Sequence, residues 1–397
     1  PMRLLSLFFR IMSCVPDKAM REVLHRHIVN DIKNSHKKKG GGGGGSAEAL
    51  NRDIQRFFHR VVTAASSFAN AGGGVSEASD VAARRAVEMT CELYRKGVWV
   101  GERSVAILGS GVESPLTGVM VRAIRFFLNI EEDMAEDGKR EKEAEWDGAD
   151  QVNLHLHSKK TKSRKRATER QSKRRAKAQR QREGVDDLNT PANPQNDKGV
   201  MASQKLYPAI EKLRYPQGIA ESVLKRIKSA SSSNKYKFEV KLLMINFVTR
   251  LVGNHRLMLL PLYPLLRRYM GGYQRDVTAI LAYAVQACHE YVPPDEIHSL
   301  MKTISHNFIT ERCSGEQMAV GINSVRAIAA RCPSALNADD DEGGEEGMSG
   351  VMDVQAYVRD LAGYARHSDR SVSIAGRSWV NFIRETCPGM LQGKHRG

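Results

Sequence analysis

The amino-acid sequence predicts an all-α protein in which antiparallel helix pairs stack side by side as an α-solenoid. Three observations lead to this fold class. Apolar residues recur at the i, i+3, i+4, i+7 spacing of amphipathic helices. In the second half of the chain these helical patterns return with a period of about 40 residues. The strict alternation of apolar and polar residues that marks strands is nearly absent.

Residues 1–130 predict a first set of helical repeats. Residues 1–36 form two helices joined at Pro16-Asp17. In the first helix we expect an apolar face of Leu4, Leu7, Phe8 and Ile11, and in the second a face of Val23, Leu24, His27, Ile28 and Ile32. Helical patterns return near Ala47–Ala71, Ser79–Arg95 and Arg103–Ile130, with breaks at Gly72–Gly74 and Gly97.

A glycine-rich segment separates the second of these helices from the next. The stretch KKKGGGGGGS covers residues 37–46 and contains six consecutive glycines. Glycine loses more backbone entropy on ordering than any other residue, so six in a row do not favour a helix or strand interior. The segment is therefore predicted to be a flexible loop.

Residues 131–200 are predicted to be a charged insertion, acidic first and then basic. Residues 131–150 are mostly acidic. Residues 157–182, HSKKTKSRKRATERQSKRRAKAQRQR, hold thirteen Lys and Arg, one Glu, and no aromatic or branched aliphatic side chain. Two interpretations of the acidic run stay open: a solvated surface segment, or a shield for the basic run when no partner is bound. The insertion is expected to be extended or helical.

The basic run is the strongest functional signal in the sequence. Clustered Lys and Arg bind phosphates through Coulomb attraction and counterion release, without reading bases. KKTKSRKR (159–166) followed by KRR (173–175) also fits a single or bipartite nuclear-localisation signal. RNA binding, nuclear import and solvated charge without a partner all remain open. The candidate residues are Lys159, Lys160, Lys162, Arg164, Lys165, Arg166, Arg170, Lys173, Arg174, Arg175, Lys177, Arg180 and Arg182.

The distribution of charge predicts a division of labour between this run and the rest of the chain. The formal net charge is +16, and the basic run alone contributes about +12 of it. The remainder is close to neutral for its size. We therefore expect a helical platform of nearly balanced charge and a separate cationic arm that supplies the grip on a polyanion.

Residues 201–390 predict the more regular set of helical repeats. Helical patterns that begin at Val240, Val277, Met318 and Val372 are spaced by roughly 37, 41 and 54 residues, close to the period of HEAT and armadillo repeats. The longest spacing contains the acidic DDDEGGEEG, which we assign to a disordered loop over 338–350. Prolines mark the starts of the partner helices, at Pro264 and Pro293-Pro294.

Residues that could support enzyme chemistry or metal binding do not form a recognisable pattern. The six cysteines have no CxxC spacing, and His289-Glu290 fails the HExxH pattern because the next histidine is His298 and two prolines intervene. Gly109–Gly111 lacks the preceding strand and the lysine of a phosphate loop. No apolar run approaches the length of a membrane span. We expect no enzyme, no cofactor, no metal and no small-molecule ligand.

Several stretches resemble the severe-depolymerisation-of-actin family of nucleolar factors. They are LFFRIMSC…HRHIVNDIKN (7–34), CELYRKGVW (91–99), HSKKTKSRKR (157–166), YPAIEKLRYPQGIAE (207–221), FEVKLLMINFVTRLVGNHRL (238–257), QRDVTAILAYAVQACHEYVPPDEI (274–297), NFITERCSGEQMAVGINSVRAIAARCP (307–333) and RSVSIAGRSWVNFIRE (370–385). The chain begins at Pro1 inside a helical pattern and stops at GKHRG, so we expect a fragment that lacks both ends.

The resemblance implies a HEAT/armadillo-like scaffold that acts in large (60S) ribosomal subunit biogenesis and in export of that subunit from the nucleus. Its implied partners are precursor rRNA phosphates, ribosomal proteins, assembly factors and a nuclear import receptor, without a membrane. Its implied location is the nucleolus and nucleus, with an indirect link to actin cytoskeleton organisation. Two alternatives remain: a HEAT-repeat nuclear transport receptor or cargo adaptor, used in protein transport, and a protein that binds actin directly.

Overall fold

The computed structural model describes residues 2–37, 44–70, 76–129, 208–233, 235–271, 274–336 and 353–396. Within these ranges every regular element is a helix and no strand occurs. Residues 1–128 and 209–397 group into one compact unit, and residues 129–208 into a second whose interior lies outside the described ranges. The all-α class is confirmed. The predicted division at residues 130 and 200 stays a prediction.

The described residues form sixteen α-helices and three short 3₁₀ helices. Before residue 130 the helices are α1 (Met2–Cys14), α2 (Lys18–Lys37), α3 (Gly44–Asn70), α4 (Glu77–Arg95), α5 (Glu102–Val112) and α6 (Thr117–Phe127). After residue 207 they are α7 (Pro208–Glu211), α8 (Pro216–Ser233), α9 (Phe238–His255), α10 (Leu262–Tyr269), α11 (Val277–Ala287), α12 (Pro294–Phe308), α13 (Gly315–Arg331), α14 (Val354–Gly363), α15 (Arg370–Thr386) and α16 (Gly393–Arg396). The 3₁₀ helices are Pro333–Leu336, Tyr364–Arg366 and Pro388–Met390.

Six consecutive helix pairs form two layers, as the α-solenoid prediction requires. The first layer contains α3, α5, α8, α10, α12 and α14, and each of these helices packs on the next second-layer helix of the chain: α4, α6, α9, α11, α13 or α15. Within the second layer every helix also packs on the second-layer helix of the following pair. Helices α1 and α2 pack against α4 at the start of the stack. The solenoid of helix pairs is confirmed.

The four helices that carry the predicted repeat are all in the second layer. They are α9, α11, α13 and α15; the first three have second-layer neighbours on both sides in addition to their first-layer partners, and α15 has one such neighbour, α13. Trp379 of α15 is fully buried and its Nε1 donates to the Val358 carbonyl at 3.2 Å. Phe127 of α6 and Phe247 of α9 lie with ring centroids 5.7 Å apart. Aromatic packing therefore joins the helices that precede the insertion to those that follow it.

Two predicted boundaries were wrong. The pattern over Arg103–Ile130 is two helices, α5 and α6, because Pro115 cannot donate to the helical ladder and the chain turns between Val112 and Thr117. The predicted loop 37–46 overlaps two helices at its ends, since α2 ends at Lys37 and α3 begins at Gly44. The first turn of a helix has no intrahelical partners for its N–H groups, and glycine is tolerated there. Residues 38–43 lie outside the described ranges.

The predicted apolar faces of α1 and α2 are only partly buried. In α1 the buried side chains are Leu5, Phe9 and Met12, whereas Leu4 and Leu7 are 53% and 50% exposed. In α2, Ile28 and Ile32 are buried as predicted, and Val23 is exposed. Because α1 is apolar around most of its circumference, the sequence period alone does not determine which stripe faces the neighbouring helices. Packing against α3 and α4 makes that choice.

The helical frame is strongly basic, which corrects the prediction of a platform with balanced charge. Among the described residues there are 41 Lys and Arg and only 24 Asp and Glu. The acidic residues that balance the chain outside the basic run are concentrated in three segments, 131–150, 183–197 and 339–346. All three lie outside the described ranges. The net charge summed over the whole chain therefore does not show the positive surplus on the folded helices.

No helix within the described ranges could span a lipid bilayer. The predicted acidic loop 338–350 and the charged insertion 131–200 both fall outside the described residues.

Candidate functional site

Five connecting segments from successive repeats stack along one edge of the described helices. We call them together the loop edge; they are residues 94–102, 210–217, 253–260, 288–294 and 331–336. Most of them join a second-layer helix to the next first-layer helix. Because repeats stack with a constant rotation, equivalent turns are placed next to one another. Side-chain hydrogen bonds connect each segment to its neighbour.

The first three segments are joined by basic side chains. Lys212 Nζ donates to the Val100 carbonyl at 2.8 Å, and Arg214 Nη2 pairs with Glu102 Oε2 at 2.9 Å. His255 Nε2 lies 3.1 Å from the Ile210 carbonyl. A carbonyl oxygen can only accept, so this histidine nitrogen must carry the proton.

The third, fourth and fifth segments are joined in the same way. His289 Nε2 donates to the Leu257 carbonyl at 3.1 Å, and Arg331 Nε donates to the Cys288 carbonyl at 2.9 Å. Cys332 Sγ lies 3.2 Å from the His289 carbonyl. Cys288 is the C-terminal cap of α11, and Leu257 and His289 lie just beyond the ends of α9 and α11. Hydrogen bonds between neighbouring segments therefore stabilise the loop edge and fix the backbone that carries its exposed side chains.

Two of these segments also bring a pair of buried thiols together. Cys288 and Cys332 are both fully buried. A hydrogen bond with Cys332, together with burial, raises the pKa of the Cys288 thiol well above its ordinary value. A buried thiol with a raised pKa is a poor nucleophile. Both thiols are buried at the ends of α11 and α13 and contribute to packing there.

Large apolar and aromatic side chains project from the loop edge. Their exposed fractions reach 78% for Tyr215, 56% for Tyr291 and 50% for Met258, and Val100 and Leu260 are also exposed. Arg214 directly precedes Tyr215, and Arg256 lies two residues before Met258. Tyrosine, methionine and arginine are the residues that protein interfaces favour, and Tyr and Arg dominate their binding hot spots. The composition fits a protein-docking surface.

Arg256 has a backbone conformation that non-glycine residues rarely adopt. Its φ is 51°, in the left-handed region, where it terminates α9. Its guanidinium pairs with Glu290 and lies 5.9 Å from the centre of the Tyr291 ring. Such a conformation costs about 1 kcal/mol for a residue with a Cβ, and glycine would avoid it. An arginine at this position suggests that its side chain serves the surface more than the fold.

Comparison with known proteins now decides the family. Residues 1–340 match the family described as "SDA1, HEAT repeat". The chain belongs to the SDA1 family. This confirms the resemblance to the severe-depolymerisation-of-actin family inferred from the sequence stretches above.

SDA1 relatives from distant eukaryotes match the whole chain. The SDA1 homologue of Xenopus tropicalis is 34% identical over 400 residues, and that of Drosophila melanogaster is 33% identical over 396. Protein sda1 of Schizosaccharomyces pombe is 32% identical over 404 residues. The matches cover 100%, 99% and 100% of this chain but only 49%, 47% and 50% of those proteins. The chain thus spans about half the length of these curated relatives.

The stretches that first suggested the SDA1 family contribute to the loop edge. Four of its segments contain YRKGVW, EKLRYPQG, GNHRL and CHEYVPP, and the fifth begins with RCP. Sequence reasoning did not place them together. The available signal was the regular recurrence of a helix stop rich in Gly, Pro and aromatic residues, since stacked repeats bring such stops side by side.

Replacing Arg256 tests whether the SDA1 frame carries backbone strain at the loop edge. We expect Arg256→Gly to exceed Arg256→Ala in free energy of unfolding by about 1 kcal/mol, because both lose the side chain but only glycine relieves the left-handed strain. Urea denaturation followed by circular dichroism measures the difference. Equal stability of the two variants would show that the position is unstrained.

The thirteen basic residues predicted to contact phosphate, Lys159 to Arg182, lie outside the described residues. Their role stays a prediction. Among the described residues no cluster of His, Cys, Asp and Glu could hold a metal ion. The Gly109–Gly111 stretch lies inside α5, where a Cβ at Gly111 would come within 3.2 Å of the Ala123 Cβ. That glycine allows α5 and α6 to approach closely.

Proposed function

We propose that this SDA1-family chain is a non-catalytic scaffold for assembly of the large ribosomal subunit, acting in the nucleolus and nucleus during maturation and export of the precursor. The observation that carries the proposal is the loop edge. Its exposed anchors lie on several successive repeats and are supported by hydrogen bonds between those repeats. One extended partner can therefore contact several repeats at once, as scaffolding on a solenoid requires.

The proposed division of partners follows the chemistry of the two regions. The loop edge would bind ribosomal proteins or assembly factors through Tyr215, Met258 and Tyr291. The basic run 159–182 would bind precursor rRNA through its phosphates and would also be read by a nuclear import receptor. The link to actin organisation would be indirect. A filament co-sedimentation assay tests this last point, and we expect no binding.

Sucrose-gradient sedimentation tests the proposal as a whole. The tagged full-length protein is expected to migrate with large-subunit precursors and to be absent from mature subunits. A second tagged protein with Tyr215→Ala and Tyr291→Ala should remain folded, since both side chains are largely exposed, and should shift toward free protein. Migration of the unaltered protein as free material, or with mature subunits only, would contradict the scaffold role.

A nuclear transport receptor or cargo adaptor is the second candidate, because the loop edge has the composition of a protein-binding surface. In that case the basic run would act only as an address. Replacing residues 159–182 with an unrelated nuclear-localisation signal separates the two functions. Full rescue of growth and subunit assembly favours the adaptor, whereas nuclear entry without rescue of assembly favours the scaffold.

A further inference from the structure

The second helix layer presents a row of arginines on its outer side. They are Arg85 of α4, Arg122 and Arg125 of α6, Arg250 of α9, Arg326 of α13 and Arg377 of α15, and we call this surface the arginine face. All but α11 of the second-layer helices contribute at least one. The one lysine of these helices, Lys241, is 9% exposed. The positive charge of the surface is therefore carried by guanidinium groups.

The arginines recur on one side of each helix. Between Lys241 and Val252 of α9 the side chains that are not buried are Leu243, Asn246 and Arg250, three or four residues apart, which is the spacing of one helical face. In α15 the corresponding row is Ile374, Arg377 and Asn381. The opposite side of each helix packs on the first layer. Stacked helices lie ~8–10 Å apart, so the arginines form a strip that is interrupted only at α11.

Neighbouring side chains hold several of these guanidinium groups in position. Glu88 accepts from Arg85 at 2.9 Å and from Arg122 at 2.6 Å, and Glu22 of α2 lies 3.9 Å from Arg85, so these two arginines are held by two carboxylates. The amide oxygen of Gln286, in the orientation that satisfies both residues, accepts from Arg250 Nη1 at 3.0 Å. Arg377 Nη2 donates to Ser373 Oγ at 2.9 Å. Less entropy is lost on binding when the donors are already oriented.

Arg326 provides the observation that points most directly to a ligand. Its Nε is buried and has no hydrogen-bond partner among the described residues. A buried donor without a partner is costly, and such donors are expected to meet an acceptor when the site is occupied. An oxygen of a bound anion would accept a hydrogen bond from this Nε.

We propose that the arginine face binds the phosphodiester backbone of RNA. The planar guanidinium fork matches phosphate oxygens in a bidentate manner, and a nucleic acid offers phosphates continuously along the whole strip. The surplus of 41 Lys and Arg over 24 Asp and Glu in the described residues adds a long-range attraction for a polyanion. An acidic protein would also need apolar anchors, and the exposed ones on this face are few, chiefly Val320 and Ile374.

This inference rests on the proposed function, because the scaffold is proposed to act on a particle rich in RNA. It goes further in assigning RNA contact to the folded helices as well as to the basic run. The arginine face and residues 159–182 would then contribute separately to the salt dependence of binding. Sedimentation tests the scaffold role, and a titration with purified RNA tests the arginine face alone.

The titration compares two variants of the full chain with the same change in charge. The test variant carries Arg125→Gln, Arg326→Gln and Arg377→Gln. The control carries Arg52→Gln, Arg60→Gln and Arg268→Gln, which are exposed on first-layer helices α3 and α10. The probe is a fluorescent 20-nucleotide RNA of mixed sequence, and anisotropy gives the dissociation constant at several salt concentrations.

The test variant is expected to bind at least tenfold more weakly, and its log–log salt slope should fall by about 2, since three contacts contribute ~0.7–0.9 each. The control should change affinity by less than about threefold with an unaltered slope, because its arginines lie outside the strip. If both variants lost RNA affinity equally, the effect would come from net charge alone, and the proposal would be overturned. Unchanged RNA affinity with lost binding to poly-glutamate would also overturn it, in favour of an acidic protein partner.

Discussion

Deletion of residues 159–182 from the full-length protein is expected to weaken RNA binding by ~100-fold or more near physiological salt, because the deletion removes thirteen Lys and Arg that can each displace a condensed counterion. Each phosphate contact contributes ~0.7–0.9 to the slope of log affinity against log salt, so the slope should fall by several units. The helical content should change little, since the run has no aromatic or branched aliphatic side chains for a core.

Titration of a fluorescent RNA across a range of salt concentrations, with circular dichroism for helical content, measures both effects. A matched control keeps the composition of residues 159–182 and scrambles their order. Coulomb attraction to phosphates does not depend on that order, and the scrambled protein should bind RNA as the original does. An unaltered salt slope after the deletion, or loss of binding after scrambling, would contradict phosphate contact by this run.

Replacement of Gly376 by alanine is expected to lower the free energy of unfolding by about 3 kcal/mol, because overpacking at a rigid backbone contact has costs of this size. A Cβ at Gly376 of α15 would lie 2.5 Å from the backbone nitrogen of Ala365 and 2.6 Å from the carbonyl carbon of Tyr364. Both are main-chain atoms of the 3₁₀ helix Tyr364–Arg366, which cannot move aside as a side chain can. Helix α15 would have to separate from that turn.

Chemical denaturation measures the change, and Gly218 supplies the control. A Cβ at Gly218 of α8 would meet no atom within 4 Å. Gly218→Ala should therefore stabilise the protein by ~0.5–1 kcal/mol through helix propensity and the entropy of the unfolded chain. If the two substitutions shifted stability in the same direction, the close approach at Gly376 would not be a determinant of the fold.

Sequence reasoning predicted the second-layer helices better than the N-terminal ones. The second-layer helices α6, α9, α11 and α13 each have three packed sides, so their apolar stripes are wide and regular, as the residues from Val240 to Val252 show. Helix α1 is apolar nearly all round, and its buried stripe of Leu5, Phe9 and Met12 was not the one that the period selected. The break at Pro115 was missed because the apolar period continues across it.

The candidate sites depended on the structure to a greater degree. The loop edge combines segments as distant as Val100 and Lys212, and the arginine face combines one residue or two from each of five helices. No short sequence motif predicts either surface, because each repeat contributes only a few side chains to it. The sequence also gave no signal for the left-handed conformation of Arg256, since most residues that end a helix in this conformation are glycines.

By itself the sequence determined the helical class and the repeat of helix pairs, because local periodicity and the recurrence of helix stops can be read along the chain. The resemblance of several of its stretches to known proteins indicated the family. Only the tertiary structure decided which stripe of each helix is buried, which turns lie side by side and where the positive charge accumulates. Those properties depend on contacts and on the separation of folded helices from acidic connecting segments. Net charge and composition summed over the whole sequence do not show that separation.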